Sequence, residues 1–170
     1  MIAPTEVRAL RAAYGAALVL KQVFVAQGTY KPTETLTRTI AFGLINGVEI
    51  YGSFLGTESS LAERPPFGTA PSVLSGDLAG DDGLAQFGDN SFHLVTCAGT
   101  NATAVLDGFV ISSGAATGTT GNQDKGGGIL CVGGVSPTIR NCRFVGTRSS
   151  FGGGAGYINN GSAPSFTDCS

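Results

Sequence analysis

Apolar and polar residues alternate with a period of two over most of the chain, in short runs bounded by turn-forming residues. Over residues 48–54, for example, Val48, Ile50, Gly52 and Phe54 fall on one face. This period is the spacing of side chains on one face of a β-strand, and glycine, proline and aspartate between the runs are typical of turns. We therefore predict an all-β chain with strands over residues 23–30, 36–42, 48–54, 72–76, 92–97 and 104–111, and a long loop over residues 56–71.

The first 22 residues have a different pattern, and two interpretations of it stay open. Val7, Leu10 and Tyr14 recur at helical spacing behind Thr5, a residue type favoured at helix N-caps. This predicts a short helix that caps the open end of the strand region. The alternative is a secretory signal, because residues 12–20 are mostly apolar behind two arginines, although no clear small-residue cleavage site follows. We favour the capping helix and place the domain boundary between residues 22 and 23.

The segment over residues 126–169 contains nearly the same sequence twice. A tri-glycine motif occurs at Gly126, Gly127, Gly128 and again at Gly152, Gly153, Gly154. A polar residue followed by cysteine occurs at Asn141, Cys142 and again at Asp168, Cys169. The glycines recur after 26 residues and the cysteines after 27, which indicates one inserted residue between them. Residues 106–111 also align with residues 139–144. Glycine-rich, β-branched repeats of this length predict a solenoid of stacked turns and strands.

Stacking places equivalent residues of successive repeats on one rung. We predict that Asn141 lies on Asp168 and Cys142 on Cys169, and that the six glycines serve turns with positive φ or close approaches of the backbone. The tri-glycines are not phosphate-binding loops, because no Lys-Ser/Thr follows either copy.

Composition narrows the class of protein. Of 170 residues, 27 are glycine and only 13% are charged, with a net charge of −2. Nucleic-acid binding needs a basic face, and disorder needs high charge with low hydrophobicity, so we predict neither. No apolar run is long enough to predict a transmembrane helix. The length suits one domain with its own core.

Candidate chemistry is concentrated in an acidic loop after residue 76. Asp77, Asp81 and Asp82 offer carboxylate oxygens, which calcium prefers, and Asp89 and Asn90 follow them. The spacing is not that of an EF-hand loop, so a solvated turn remains the alternative. Calcium is the one cofactor that the sequence suggests. His93, the single histidine, lies in a predicted strand, and a structural role is the expectation for it.

Four cysteines raise the question of disulfides. Cys142 and Cys169 fall on one predicted rung, but parallel side chains in register point the same way, which makes the disulfide dihedral difficult. We therefore expect free thiols packed in the interior. The repeat assigns no partner to Cys97 or Cys131, and no Cys-x-x-Cys spacing indicates a zinc site.

Several segments resemble a known class of proteins. Residues 25–33, 51–58, 73–77, 90–93 and 104–109 together resemble the amino-terminal turns of bacterial secreted right-handed parallel β-helix proteins of pectin-lyase-like architecture. The later residues are similar to the repeats of polymorphic outer-membrane proteins, which pair a Phe-x-x-Asn turn with a Gly-Gly-Ala-Ile turn. Here Thr147 stands where that family has asparagine after Phe144, and Gly156 stands where the second glycine turn would have isoleucine.

The resemblance implies a right-handed parallel β-helix over residues 23–170, located outside a bacterial cell or at its surface. It also implies a non-catalytic scaffold with an adhesin-like or glycan-binding role, whose partner is a polysaccharide or the surface of a host or neighbouring cell. Independently of the resemblance, the sequence also allows an ordinary β-sandwich in which the glycine repeats are hairpin turns.

The alternative that the resemblance implies is a polysaccharide lyase or glycoside hydrolase with catalytic turns beyond residue 170. Lyases of this fold pair calcium-binding carboxylates with an arginine or lysine base, and Arg140 and Arg143, near Asp107 and Asp168, are the matching residue types here. Positions three apart on a strand face opposite sides, however, and outer-face arginines are ordinary. We therefore predict no catalytic residue within this chain.

The last residues, 166–170, fall inside a predicted repeat with no cap after them. Solenoids need capped ends, so we expect the chain to be the amino-terminal part of a longer protein. An exposed edge would also favour self-association through the last repeat.

Overall fold

The computed structural model describes residues 21–170, which form short strands with two 3-10 segments, Leu61–Glu63 and Asp82–Leu84, as the helical elements of this part. The all-β prediction is confirmed. The strands are β1 (Lys21–Ala26), β2 (Gly28–Tyr30), β3 (Phe42–Gly43), β4 (Val48–Phe54), β5 (Ser72–Ser75), β6 (Val95–Thr96), β7 (Val105–Asp107), β8 (Phe109–Ser112), β9 (Ala115–Ala116), β10 (Ile129–Val132), β11 (Thr138–Arg140), β12 (Arg143–Val145), β13 (Arg148–Ser149), β14 (Gly156–Asn159) and β15 (Ser165–Thr167).

These strands form parallel sheets. Sheet I has the order β1-β4-β7-β11-β15, sheet II the order β14-β10-β6-β3 and sheet III the order β12-β8-β5-β2, while β13 and β9 form a separate pair. Each pairing between named strands in residues 21–170 is parallel. Hairpins would give antiparallel pairs, so the β-sandwich interpretation is wrong for this part of the chain.

The chain visits the sheets in a repeated order, from sheet II to sheet I to sheet III. We call each such passage a circuit: β1–β2 belong to the first, β3–β5 form the second, β6–β9 the third, β10–β13 the fourth and β14–β15 belong to the fifth. Each inner strand of a sheet pairs with its equivalents in the preceding and following circuits, and each edge strand pairs with one of them. Residues that are distant in sequence therefore lie side by side at every rung.

The core is built from rungs of apolar side chains. In sheet I, the register places Ile50 beside Leu106, Leu106 beside Ile139 and Ile139 beside Phe166. Leu106 and Ile139 are 2% and 0% exposed, whereas Phe166 in the last rung is 39% exposed. Inner rungs are covered by a circuit on both sides, so burial falls toward the last one. The predicted offset of 33 between residues 106 and 139 is confirmed by this register.

Most of the predicted strands are confirmed, and two are wrong for most of their length. Observed strands include most residues of the strands predicted over residues 23–30, 48–54, 72–76 and 104–111. Of residues 36–42, only Phe42 is in a strand, and Leu36 is exposed. The amide of Thr35 bonds to the Thr33 side chain, a local contact that competes with a sheet ladder. Of residues 92–97, only Val95 and Thr96 are in a strand.

The tri-glycine copies pair with a shift of one position from the predicted alignment. Lys125 pairs with Gly152 and Ile129 with Gly156, so the offset is 27 residues here as well, and Gly126 lies level with Gly153. The backbone explains the shift: φ is 66° at Gly126 and 60° at Gly153. Glycine adopts this left-handed conformation readily. The register therefore matches glycines of the same backbone conformation and not glycines at the same position in the tri-glycine motif. The predicted insertion between the glycines and the cysteines is therefore wrong.

A second left-handed position recurs at the corner after β7, β11 and β15 of sheet I. Gly108, Asn141 and Asp168 have φ values of 83°, 50° and 52°. Arg140 pairs with Asp107 and with Thr167. The residues that follow them, Gly108, Asn141 and Asp168, therefore lie on successive rungs. Asparagine and aspartate are the side chains that adopt this conformation most readily after glycine. The predicted rung of Asn141 and Asp168 is therefore a backbone corner in this structure.

The predicted capping helix lies outside the described residues, except that Lys21 and Gln22 belong to β1. Within residues 21–170, the structure has no helix with the length and hydropathy that a membrane crossing requires.

The register predicts unequal effects of alanine at two adjacent glycines. At Gly153, a Cβ atom would meet the carbonyl oxygen of Gly156 in a left-handed conformation, whereas at Gly152 it would make only an ordinary contact of 3.7 Å with the Tyr157 ring. We expect Gly153→Ala to lower the free energy of unfolding by about 1–2 kcal/mol or more, and Gly152→Ala by less than about 0.5 kcal/mol. Guanidinium unfolding measures both; equal losses would contradict the offset of 27.

Candidate functional site

The three predicted metal ligands lie together in the loop between β5 and β6. Asp77, Asp81 and Asp82 each place a carboxylate oxygen within 4.8 Å of the other two, and all three side chains are half-buried. In the described part of the chain, this is the group of acidic, histidine or cysteine side chains with a geometry suited to a metal ion. The residues that the sequence put forward as one site are therefore brought together.

Backbone amides fix the shape of this acidic loop. The Asp77 carboxylate accepts hydrogen bonds from the amides of Gly80 at 2.6 Å and Asp81 at 3.0 Å, and Asp89 accepts one from Ala79 at 2.7 Å. Short acidic side chains commonly organise turns in this way. These contacts engage Asp77 and Asp89 in holding the loop.

The remaining polar atoms of the loop are less well satisfied. Asn90, which is 1% exposed, donates from Nδ2 to Asp82 Oδ1 at 3.0 Å and to the Ser113 carbonyl at 2.7 Å. Its Oδ1 atom and Asp81 Oδ1 are buried without a hydrogen-bond partner. Buried polar atoms without partners are uncommon and call for an explanation.

Electrostatic repulsion accompanies this shortage of partners. Burial of the carboxylate raises the pKa of Asp81, and the negative charges of Asp89, Asp77 and Asp82 raise it further. A hard divalent cation would neutralise these charges and accept the free carboxylate and amide oxygens as ligands. The three aspartates are therefore a donor set of the kind that calcium takes, and calcium binding stays a prediction.

Two arginines from neighbouring segments hold the acidic loop against the sheets. Arg38 donates to the carbonyls of Asn90 at 2.6 Å and Ala115 at 3.0 Å, and its guanidinium lies 4.2 Å from the centre of the Phe92 ring. Arg148 lies 3.4 Å from the centre of the Phe87 ring. No local pattern predicts these contacts, because both arginines are distant from the loop along the chain.

A second polar cluster lies on sheet I and contains the arginine considered as a catalytic base. The Asp107 carboxylate, whose side chain is 3% exposed, accepts from Arg64 at 2.8 Å, Arg140 at 2.6 Å and Asn141 at 3.0 Å. The guanidinium groups of Arg64 and Arg140 lie 5.7 Å and 5.9 Å from the centre of the Tyr51 ring. This cluster ties the loop over residues 56–71 to sheet I through Arg64.

Arg140 is committed to this ion pair. The hydrogen bond and charge of Asp107 raise the pKa of Arg140, so the guanidinium holds its proton even more firmly than usual. A general base must give up its proton near neutral pH. Arg143, the other arginine considered, lies on β12 in sheet III and is exposed, and Asp168 lies at the corner after β15. The four residues do not form one site.

The structure pairs all four cysteines, including two for which the sequence predicted no partner. Cys97 and Cys131 are 0% exposed, and their Sγ atoms are 2.6 Å apart. The strand register places Cys169 beside Cys142, and this neighbouring thiol lowers the pKa of Cys169 to about 6. All four cysteines are free thiols in this structure. The repeat in the sequence assigned no partner to Cys97 or Cys131, and the structure corrects this, because residues 95–97 align with residues 129–131 in sheet II.

His93 lies beside a tri-glycine turn. Its Nδ1 atom is 3.0 Å from the Gly126 carbonyl oxygen, the side chain is half-buried, and burial lowers its pKa. A neutral histidine in this position can donate one hydrogen bond to the turn. This geometry suits the structural role that the sequence predicted.

The Asp107 cluster predicts a large loss of stability on neutralisation of one carboxylate. Asp107→Asn keeps the shape but leaves two guanidinium groups without their shared counter-charge, so we expect a loss of about 2–4 kcal/mol in the free energy of unfolding. The control is Asp124→Asn, which removes the partly exposed pair with Lys125 and should cost less than about 1 kcal/mol. Urea unfolding of both variants provides the comparison, and similar losses would argue against the cluster as an anchor for residues 56–71.

No protein-family model matches the chain, and no curated protein or solved structure matches it either. The resemblance to pectin-lyase-like and outer-membrane repeat proteins therefore stays a prediction based on the residues quoted for it. The function must be argued from the geometry of the sheets and from the two polar clusters.

Proposed function

We propose that residues 23–170 form a right-handed parallel β-helix that acts as a non-catalytic scaffold outside a bacterial cell or at its surface. The repeated passage of the chain through three parallel sheets carries this proposal, because successive circuits of a β-helix pair in this way. Right-handed crossovers are the rule for parallel strands of one sheet. The proposed partner is a polysaccharide or a glycan-bearing cell surface.

The state of the sheet I cluster supports a scaffold role. The Asp107 carboxylate pairs with both Arg64 and Arg140, which ties Arg64 to the surface of sheet I and helps to keep Arg140 protonated. An enzyme of this fold would need a carboxylate or a base poised for proton transfer. The two ion pairs give Asp107 and Arg140 a structural use instead.

An exposed aromatic patch offers the best surface for a sugar ring. Phe151, in the turn after β13, is 75% exposed, and Lys125 Nζ lies 4.8 Å from its ring centre. Lys125 also pairs with Asp124 and approaches the Tyr157 ring. A flat apolar ring beside charged hydrogen-bonding groups is the arrangement that recognition sites for polar ligands use. We call Asp124, Lys125, Phe151 and Tyr157 the aromatic patch.

The acidic loop has a supporting role in this proposal. Calcium bound by Asp77, Asp81 and Asp82, with Asn90 as a neighbouring oxygen donor, would remove the repulsion among the carboxylates and fix the loop on the sheets. Extracellular calcium sites of modest affinity are common in secreted modules. Self-association stays a prediction, and the side chains of Phe166 and Ile158 are exposed.

The scaffold proposal predicts retention of the protein on a polysaccharide without chemical change. The test is binding of the purified chain to immobilised neutral and acidic polysaccharides, with release of unsaturated sugar followed in parallel. We expect Phe151→Ala to weaken binding by about three- to tenfold, the loss of one aromatic contact. Phe67→Ala, at another exposed phenylalanine, is the control and should bind normally. Unsaturated product would instead support the lyase alternative, and no binding would contradict the scaffold proposal.

The calcium proposal predicts thermal stabilisation that depends on Asp81 and on pH. Added calcium should raise the melting temperature of the chain, because a ligand that binds the folded state stabilises it. The raised pKa of Asp81 means that protons compete with calcium, so the increment should shrink as pH falls from 7 toward 5. Asp81→Asn should remove most of the increment.

The matched control for calcium binding is Asp168→Asn, since Asp168 lies outside the loop in a left-handed conformation that asparagine also adopts. This variant should keep the full calcium increment. Equal increments in both variants would contradict a calcium site at the acidic loop, whatever the outcome of the polysaccharide experiment.

A further inference from the structure

The two cysteine pairs have the same relation to the fold: each joins two neighbouring circuits. Thr96 pairs with Leu130 in sheet II, and the next residues, Cys97 and Cys131, follow in register. The Cys97 amide donates to the Leu130 carbonyl at 3.1 Å, which continues the ladder at this position. Cys97 belongs to the third circuit and Cys131 to the fourth.

The second pair repeats this relation one circuit later. Arg140 pairs with Thr167 in sheet I, and the Ser170 amide donates to the Cys142 carbonyl at 3.1 Å. Cys142 and Cys169 are therefore held on adjacent rungs by backbone bonds on both sides of the corner. Cys142 belongs to the fourth circuit and Cys169 to the fifth, so the fourth circuit contributes one cysteine to each pair.

The thiols of the first pair are already in contact. The Sγ atoms of Cys97 and Cys131 are 2.6 Å apart, and both side chains are buried. For the second pair, the strand register places Cys169 one rung from Cys142. The first pair shows that in-register neighbours of a parallel sheet can bring their sulfur atoms together, so side chains that point the same way do not exclude a disulfide at either site.

We propose that Cys97 with Cys131, and Cys142 with Cys169, are two disulfide-forming sites that join the third, fourth and fifth circuits covalently. Neighbouring strands of a sheet are about 4.8 Å apart, which falls within the Cα separation that disulfides span. The strand register of both pairs and the contact between the Cys97 and Cys131 thiols support this proposal, which does not depend on the proposed scaffold function.

The chemistry requires an oxidant, and a small disulfide such as oxidised glutathione supplies it. A thiolate of the pair attacks one sulfur of the small disulfide, forms a mixed disulfide and expels one glutathione thiolate. The second cysteine of the pair then loses its proton to water and attacks the protein sulfur of the mixed disulfide, which expels the second glutathione. Two protein thiols are oxidised and one small disulfide is reduced to two thiols.

The two sites should react at different rates in the folded chain. Cys169 is partly exposed, and its lowered pKa makes it the attacking thiolate, with the buried Cys142 as the resolving thiol. Cys97 and Cys131 are fully covered, and burial together with the Cys131 contact raises the pKa of Cys97. Their bridge should therefore form during folding rather than by attack on the folded protein.

The experiment is peptide mapping of the full chain after two treatments with a glutathione redox buffer. One sample is treated folded, and the other is unfolded, reduced and refolded in the same buffer. Trypsin separates the four cysteines, because Lys125, Arg140 and Arg143 lie between consecutive ones. The refolded sample should give the peptide pairs that contain Cys97 with Cys131 and Cys142 with Cys169, and the folded sample should give the second pair at least tenfold faster than the first.

Two double variants act as matched controls. Cys97→Ala with Cys131→Ala should keep the Cys142 bridge, and Cys142→Ala with Cys169→Ala should keep the Cys97 bridge. If one of these variants fails to fold, mapping of the unaltered chain still decides the pairing. Recovery of four free thiols after refolding with oxidant, or of a bridge between Cys131 and Cys142, would overturn the proposal.

Discussion

Parallel backbone pairing between successive circuits is the interaction on which this structure depends. Each inner strand shares its hydrogen bonds with two neighbours, and the register carries every side chain onto its equivalent one circuit away. Apolar rungs such as Leu106 and Ile139 then exclude water from the space between the three sheets. The same rule requires backbone corners that turn tightly, which explains the recurring left-handed positions at Gly108, Asn141 and Asp168.

Loops of unequal length are accommodated because the ladder needs only the strands and corners to match. The third circuit is longer than the fourth, yet β7 and β11 pair without a register shift. Long loops still need attachment to the sheets, and buried charge provides it. Asp107 holds residues 56–71 through Arg64, and Arg38 holds the acidic loop through backbone carbonyls. A buried carboxylate with several donors resists separation, because removing one partner leaves the others uncompensated.

These attachments also bear on function. Asp107 is paired with two arginines, whereas Asp77, Asp81 and Asp82 bring three carboxylates within 4.8 Å of one another. The first arrangement holds a loop on the sheets, and the second is the one that we propose to bind calcium. The cysteine pairs would add covalent links between circuits, which would resist separation of the last rungs. These features are consistent with the scaffold role that we propose, in which exposed side chains such as Phe151 would contact other molecules.

The sequence by itself determined the strand class, the repeat, the stacking of Cys142 on Cys169 and the location of the acidic loop. Period-two alternation and recurring turn residues are local properties, and a chain repeat dictates which residues become neighbours. Only the tertiary structure decided that Gly126 matches Gly153, because backbone conformation rather than residue identity fixes that alignment. It also decided that Cys97 meets Cys131, that Arg64 reaches Asp107 and that residues 36–41 leave the sheets. Those contacts depend on how loops of different length return to the ladder, and a local pattern does not encode that path.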